Sequence, residues 1–463
     1  MKCCQASIVL LLIAVMFVQK GFSQPAAKKG NDSLSLAAFF KKGHLAVQVR
    51  SIGMATFNEA QLKDYGAWGT GLAISYESPS FKGFQLGAGG SFVSNIISSD
   101  LVTASPLSGS SSRYEKGLFN ITNPSQKGIP RQELLYIRYT HRESKITIGK
   151  QSINTPFINP QDGRIRPGFE EGIWMELHEL KHLSIQTGWL WKMAPRSTAN
   201  WYGIGRSIGL YSTGVDKTGN RSAYGGNTNS HGIGITGLQY TLPKWNLQLW
   251  NYYTENIMNT SFFQADHRID LKNGRSLAGG LQATLQYSSG NGGNRDELKR
   301  YFPKSEKAFV ISSRFGYKTK RWETFLNYTR ITGDGRFLMP REWGREPFYT
   351  FMLRERNEGF GNVHAVVLNT GFQPVGKKWK AEVAAGNFFL PPVTEYRLNK
   401  YEMPAFYQLN GLLTYSFSNK LDGLVLQFLI VYKGNSGKTY SEQKYIDNKI
   451  DMLHSSLVMT YQF

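Results

Sequence analysis

Apolar and polar residues alternate one by one along much of this chain, in segments of about ten residues. In the last eleven residues, Leu457, Met459, Tyr461 and Phe463 fall on one side of the alternation, and polar residues such as Thr460 fall on the other. Successive side chains of a β-strand point to opposite faces of the sheet. This period of two therefore predicts strands with one apolar face and one polar face.

Eighteen segments with this pattern are predicted to be strands. They lie near 44–55, 66–77, 83–93, 131–142, 144–151, 172–179, 182–193, 231–242, 244–255, 258–270, 278–288, 308–318, 321–332, 362–373, 378–389, 407–418, 423–433 and 453–463. Strands of this length with one apolar face are typical of a transmembrane barrel, which contacts lipid outside and water inside. A soluble sandwich would have shorter strands and could not leave so many polar faces without a core. The prediction is an all-β fold, an 18-stranded antiparallel transmembrane β-barrel over residues 44–463.

The connections between the predicted strands alternate between short and long, except around Asn256 and Lys272. Long connections are predicted near 94–130, 152–171, 194–230, 289–307, 333–361, 390–406 and 434–452. Short periplasmic turns and long extracellular loops are typical of outer-membrane barrels. Three short basic turns are followed by Trp245, Trp322 and Trp379, each in phase with the apolar face of its strand. Such tryptophans predict an aromatic girdle at the membrane interface.

The first 23 residues have the features of a secretory signal peptide: a basic start, a short apolar run, and Gly21 and Ser23 before the cleavage site. Residues 24–43 are predicted to be a periplasmic leader with room for one short helix over 32–42. Both cysteines, Cys3 and Cys4, lie in the signal. The mature chain is thus exported without a disulfide, which argues against a small disulfide-stabilised domain.

The chain is strongly basic, with a formal net charge of +21. Two of the 54 Lys and Arg residues lie in the signal, so 52 remain against 33 Asp and Glu, a net charge of +19. An exported protein rarely meets nucleic acid, so we expect a lumen or surface that attracts anions. The eight histidines form no metal-binding or nucleophile motif, and His178 and His182 lie on a predicted hairpin. No catalytic residue, metal site or cofactor is therefore expected.

The predicted loop at 152–171 is rich in Pro and Gly but also contains Phe157, Ile158, Ile165 and Phe169. A loop in open water has little use for four large apolar residues, whereas a loop folded against the barrel wall can bury them. An 18-stranded barrel encloses a water-filled lumen, which such a loop would narrow. The charged residues predicted at this constriction are Asp162, Arg164, Arg166, Glu170 and Glu171.

The alternation also predicts which basic side chains on the strands point into the lumen. Arg50, Arg138, Arg314 and Lys433 lie on the polar faces of their strands. They are the predicted pore-lining cations. A further basic segment, 336–356, has no role assigned by these patterns.

The run Gly149–Pro167 (GKQSINTPFINPQDGRIRP), the strand before it and the glycine-rich strand after it resemble the OprD-type outer-membrane porins, especially their Bacteroidetes branch. The resemblance extends from the leader to the terminal Phe463. It implies an 18-stranded Gram-negative channel for small solutes, several members preferring amino acids or other carboxylates, with a constriction formed by the third loop. It places Asp162 and Arg164 in that loop, but the family's basic row matches only in pattern.

We therefore expect an outer-membrane porin for passive diffusion of small anionic or zwitterionic solutes. The expected partners are these solutes, outer-membrane lipid, lipopolysaccharide, and the barrel assembly machinery, for which Tyr461 and Phe463 form the terminal signal. No nucleic-acid partner is expected, and the protein should be a monomer or a loose trimer. Two alternatives stay open: a barrel enzyme of the protease or lipase type, and an adhesin or structural barrel that uses its long loops.

Overall fold

The computed structural model describes residues 40–59, 61–160 and 163–463. The predicted signal peptide, residues 24–39 of the predicted leader, and Asp162 lie outside the described residues. Gly43–Phe463 forms one compact unit.

Eighteen long strands make up this unit. They are β1 His44–Phe57, β2 Tyr65–Glu77, β3 Phe84–Ser98, β4 Gly128–His141, β5 Ser144–Gln151, β6 Phe169–Leu180, β7 Leu183–Ala194, β8 Ile233–Thr241, β9 Trp245–Thr254, β10 Met258–Leu271, β11 Arg275–Ser288, β12 Lys307–Lys318, β13 Trp322–Ile331, β14 Val363–Phe372, β15 Trp379–Phe389, β16 Phe406–Ser416, β17 Leu424–Asn435 and β18 Met452–Gln462. A two-residue strand, Tyr202–Gly203, pairs with the end of β7. The predicted strands are all present, with shifted ends.

Within Gly43–Phe463, the helices are short and lie in the connections. The four-residue α-helix is Ile204–Ser207, and the 3-10 helices are Glu115–Leu118, Lys272–Gly274, Glu297–Lys299, Asn419–Leu421 and Gln443–Tyr445. Within the described residues, no helix has the length and apolar character needed to cross a bilayer.

Each strand pairs antiparallel with its neighbours in sequence, and β1 also pairs with β18, which closes the sheet. The last residue takes part in the closure. The Phe463 amide donates to the Val47 carbonyl at 3.0 Å, and the Val47 amide donates to the Phe463 carbonyl at 2.9 Å. A closed sheet has no free edge, so its backbone polar groups are satisfied within the barrel. The prediction of a closed 18-stranded barrel is confirmed.

The two faces of the barrel wall follow the predicted alternation. In β12, Phe309, Ile311 and Phe315 are exposed on the outside, and Val310 and Ser312 are buried inside. Trp245, Trp322 and Trp379 are the first residues of β9, β13 and β15.

Inside the barrel, burial is concentrated next to the long loops. In β1, most residues of 50–56 are buried, whereas none of 44–49 is. Loop and strand side chains form one apolar cluster there, whose large members include Phe157, Phe262, Phe337, Trp343 and Phe360. The long loops supply apolar residues to the half of the barrel interior next to them, and this half is therefore packed.

Eight short turns join the strands at one end of the barrel, and nine connections join them at the other. The two exceptions predicted in the alternation differ from the pattern only in the length of the connection. Each connection still lies at the end of the barrel that the alternation requires. Residues 255–257 form a three-residue connection at the loop end, and 272–274 form a turn at the turn end. The connection at 58–64, between β1 and β2, also lies at the loop end.

A β-bulge at Trp191 interrupts the alternation in β7. Gly172 pairs with Leu190, but the preceding residue, Glu171, pairs with Lys192. A strict alternation predicts Lys192 on the polar, inward face together with Gln186. The structure instead puts Lys192 beside Glu171, with the two charged groups 3.9 Å apart. An extra residue in one strand shifts the phase beyond it, which a strict period of two cannot show.

Candidate functional site

The loop at 152–168, called the Phe157 loop below, contacts the inner face of the barrel at two distant places. The Phe157 ring is fully buried and lies 5.5 Å, between ring centroids, from both Tyr252 on β9 and Phe262 on β10. At the other end of the loop, Ile165 packs directly on Gly69 and Gly71 of β2. A Cβ on either glycine would lie only about 2.5 Å from the nearest carbon of the Ile165 side chain. Strands β2 and β10 are eight positions apart in a ring of eighteen.

A second loop, 332–362 or the Trp343 loop, packs against the first. Phe337 and Phe348 lie 6.0 and 6.1 Å from the Phe157 ring. The Asn159 side chain donates to the Arg345 carbonyl at 2.9 Å and accepts from the Arg345 amide at 3.1 Å. The Trp343 loop includes the basic segment 336–356 that the sequence left without a role.

The two loops and β1 line a cavity of about 520 Å³. Its lining includes Gln48 and Arg50 from the wall, Arg164 from the Phe157 loop, and Arg345 and Glu346 from the Trp343 loop. Basic side chains from three separate segments thus meet at one space.

Three arginines converge on Gly163, next to this cavity. Arg164 and Arg354 donate to the Gly163 carbonyl at 2.7 and 3.4 Å. A Cβ on Gly163 would lie 3.6 Å from Nη1 of Arg196 and 3.7 Å from Nη1 of Arg354. Among the described residues, no carboxylate lies within 4 Å of these three guanidinium groups.

Burial and the charges of Arg196 and Arg354 hold the pKa of Arg164 well below its usual value. Burial likewise lowers the pKa of Arg354 to about 10. Both shifts express the cost of burying like charges close together, a cost that a bound anion would reduce.

The last strand positions Arg354. Its Nε donates to Nε2 of His454 at 3.0 Å, and its Nη2 donates to the Ser456 hydroxyl at 3.0 Å. The other nitrogen of His454, Nδ1, lies 2.8 Å from the Thr56 hydroxyl and 3.5 Å from Oε1 of Glu115. Because Nε2 accepts a hydrogen bond, the imidazole is neutral in this arrangement.

A second group of buried charges, in contrast, is compensated. Glu355 lies 3.0 Å from Arg113 and 2.6 Å from Lys433. Although burial opposes its ionisation, the charges of Arg113 and Lys433 lower the pKa of Glu355 to about 2. Glu358 similarly lies 2.7 Å from Arg341 and 3.0 Å from Lys400.

All four predicted pore-lining cations point into the barrel, but their surroundings differ. Arg50 lines the cavity and donates to the Thr460 hydroxyl at 2.9 Å. Arg138 is paired with Glu77 and Arg314 with Asp266, each at 2.7 Å. Lys433 is fully buried against Glu355. The structure therefore brings only Arg50 of the four to the cavity, and their proposed role in permeation stays a prediction.

The residues predicted at the constriction also separate. Arg164 lines the cavity, whereas Arg166 forms an ion pair with Glu133 and donates to the Gln48 side chain at 2.6 Å. Asp162 lies outside the described residues.

The placement of Glu170 and Glu171 in the loop is wrong, because both belong to β6. Glu170 is buried and accepts from the Ile153 amide at 3.0 Å. Glu171 pairs with Lys150, two residues from the pair Ile148 and Ile173 that is exposed on the outer face, so Glu171 faces outward.

Sequence reasoning missed Arg196, Arg345 and Arg354. The last two lie in the basic segment 336–356, whose charge is a usable signal once an inward fold of that loop is considered. Arg196 follows Pro195 at the start of a long loop, and nothing in the local sequence marks it.

The fold of the barrel resembles that of several solved structures. The structure of Pseudomonas aeruginosa OpdK with vanillate has a TM-score of 0.69 and 14% identity, covering 92% of this chain and 99% of that one. Acinetobacter baumannii OccAB3 has a TM-score of 0.71 and 12% identity, covering 91% and 99%. P. aeruginosa OccK9 (OpdG) has a TM-score of 0.69 and 12% identity, covering 92% and 99%.

No curated protein sequence matches the chain. The family model for "outer membrane porin, OprD family" matches residues 38–354, more than two thirds of the sequence. Together with the closed 18-stranded barrel, this match places the protein in the outer membrane. The chain belongs to the OprD family of outer-membrane porins.

Proposed function

We propose that this porin passes small hydrophilic solutes bearing a carboxylate, alone or with an amine, through a lumen narrowed by the Phe157 loop. The observation that carries the proposal is the group formed by Arg164, Arg196 and Arg354. These side chains converge beside a cavity of about 520 Å³. Within the described part of the chain, no carboxylate lies at ion-pair distance from them.

A carboxylate matches this group chemically. The planar guanidinium presents paired N–H donors that suit the two oxygens of a carboxylate. A passing anion would reduce the mutual repulsion of the arginines. Because the anion is not attached to the protein, it can leave again. Glu346, on the cavity wall, has a pKa raised by burial to about 7, so above that pH it offers a negative group for an amine on a zwitterionic solute. By likeness, the solved structure of OpdK with vanillate supports a carboxylate class, since vanillate is a carboxylate.

Narrowing by the Phe157 loop is supported by its two contacts on nearly opposite strands. Removing residues 156–167 should raise single-channel conductance, because the deletion removes both Phe157 and Ile165, which hold the loop against these strands inside the barrel. A shorter control deletion removes 295–298, which are exposed in the loop 289–306. Equal conductance of the 156–167 deletion and the unmodified protein, with both barrels folded, would contradict the proposed constriction.

Anion preference is tested in planar bilayers with a tenfold KCl gradient, followed by replacement of chloride with benzoate. We expect a reversal potential on the anion side and measurable benzoate current. Cation selectivity in dilute salt, together with no benzoate current, would overturn the proposal.

The partner predictions extend this proposal. Contact with lipopolysaccharide, a monomeric or loosely trimeric state, and recognition of Tyr461 and Phe463 by the barrel assembly machinery stay predictions. Deleting Phe463 should sharply lower the amount of folded barrel in the outer membrane while synthesis continues.

A further inference from the structure

The short-turn end of the barrel carries an unusual concentration of positive charge. The eight turns, 32 residues in all and called the turn rim below, contain ten basic residues and two acids, Glu143 and Asp422. The basic residues are Lys82, Arg142, Lys181, Lys244, Lys272, Lys320, Arg321, Lys377, Lys378 and Lys420. Each of the eight turns has at least one of them.

The opposite end has far less net charge for its size. The nine connections there total 175 residues, with 24 basic and 20 acidic residues. The net charge is thus +8 over 32 residues at the turn rim and +4 over 175 residues at the loop end. The basic character of the whole chain therefore does not explain the turn rim.

The rim cations are exposed to solvent. Arg142 is paired with Glu179 only loosely, at 3.9 Å, and its side chain is 75% exposed. For Lys244, Lys272 and Arg321, no carboxylate of the described residues lies within ion-pair distance. Lys244, Lys272 and Arg321 are consequently available to an outside partner.

Exposed apolar side chains surround the same turns. Phe81 is 61% exposed and Val375 64% exposed within the turns, and Trp245 and Trp322 are exposed directly after two of them. A protein surface that faces only water rarely combines cations with so many exposed large apolar groups. At a membrane interface the combination is expected, because the rings lie at headgroup depth while Lys and Arg extend toward the phosphates.

We propose that the turn rim binds the phosphate groups of anionic phospholipids in the leaflet around it, in preference to zwitterionic headgroups. Clustered Lys and Arg beside a membrane attract anionic lipids through summed electrostatic attraction. The ring arrangement distributes this attraction around the whole circumference, so it selects the lipids that border the barrel. It also holds the barrel at one depth in the bilayer. The apolar neighbours of the cations favour a lipid over a soluble acidic protein.

The proposal is tested by lipid retention. The full mature barrel is reconstituted in vesicles with equal phosphatidylglycerol and phosphatidylcholine, extracted in mild detergent, and its retained lipids are quantified by mass spectrometry. We expect phosphatidylglycerol to be enriched about threefold or more. The variant with Lys244, Lys272, Lys320 and Lys378 changed to Gln should bring the ratio close to one.

A matched control makes the same change of charge at the other end, with Arg221, Arg295, Lys304 and Lys438 changed to Gln, all exposed in loops. It should keep the enrichment. Heat-modifiable migration in gels checks that each variant is a folded barrel. A ratio near one in the unmodified protein, or an equal loss in both variants, would overturn the proposal.

A second arm tests an acidic partner outside the membrane, using sedimentation with insoluble peptidoglycan in detergent. Binding that needs the four turn lysines, without enrichment of phosphatidylglycerol, would assign the turn rim to cell-wall carboxylates and overturn the lipid proposal. Enrichment of phosphatidylglycerol without peptidoglycan binding supports it.

Discussion

Two groups of charges lie close together inside this barrel, yet their electrostatics are opposite. Glu355 and Glu358 are each held by two basic side chains, within 3.0 Å. Arg164, Arg196 and Arg354 have no carboxylate at that distance among the described residues. Arg354 and Glu355 are adjacent in sequence, so one stretch of the Trp343 loop serves both groups.

The difference indicates a division of roles. Buried acids with full partners hold the Trp343 loop against the wall at Lys433, since breaking such a pair leaves an uncompensated charge. Half-buried cations without a carboxylate partner reduce stability, and such a group is expected where an anion passes. The first group should therefore control stability, and the second should control selectivity.

The largest expected effect is on stability. Glu355→Gln leaves Lys433 and Arg113 without their carboxylate and should lower the free energy of unfolding by about 3–5 kcal/mol. Arg354→Gln is the control, since it removes an uncompensated charge from the neighbouring residue and should change stability by about 1 kcal/mol or less. Urea unfolding in lipid vesicles, followed by gel migration, measures both. Equal losses in the two variants would remove the distinction between the groups.

Next in size is an effect on selectivity. A charge about 8 Å from a passing anion contributes about 0.5 kcal/mol at the dielectric of water and about 2 at an effective value near 20. Arg164→Glu should therefore lower the anion-to-cation permeability ratio severalfold, read from the reversal potential in dilute KCl. Lys304→Gln, on an exposed loop, should leave the ratio unchanged. An equal shift in both variants would mean that Arg164 controls selectivity no more than an exposed loop residue does.

A smaller, pH-dependent effect should come from Glu346 on the cavity wall. Burial raises its pKa to about 7. Protonation removes a negative charge from the cavity, so anion selectivity should rise, by about twofold, as pH falls from 8 to 6. Because the pKa is raised in the folded state, this group also contributes stability at low pH that is lost as pH rises through 7. Glu346→Gln should abolish the change of reversal potential between pH 8 and pH 6. A full change in that variant would show that another group titrates.

The smallest effect is expected at Arg138, which is already paired with Glu77. Arg138→Glu should move the reversal potential toward cations by less than half of the shift seen for Arg164→Glu. The same bilayer recording compares the two, since the change of charge is identical. A larger shift at Arg138 would show that the basic side chains of the wall, and not those at Gly163, control selectivity.

The sequence by itself determined the architecture. Strand number and the inward direction of Arg50, Arg138, Arg314 and Lys433 follow from a period of two, because the β-strand imposes that period on every side chain. Closure follows because a sheet in lipid cannot leave an edge open. The four apolar residues around 157–169 similarly indicated burial, and all four are buried. These features are local, so a local pattern is enough to predict them.

Only the tertiary structure decided which charges are compensated. Glu355 meets Lys433 across 78 residues, Glu77 meets Arg138 across 61, and Arg354 is placed by His454 across 100. The bulge at Trp191 placed Lys192 beside Glu171, and the start of β6 at Phe169 put Glu171 on the wall instead of in the loop. Electrostatic partners depend on distances through space, and no periodicity along the chain records how two long loops fold together inside a ring of strands.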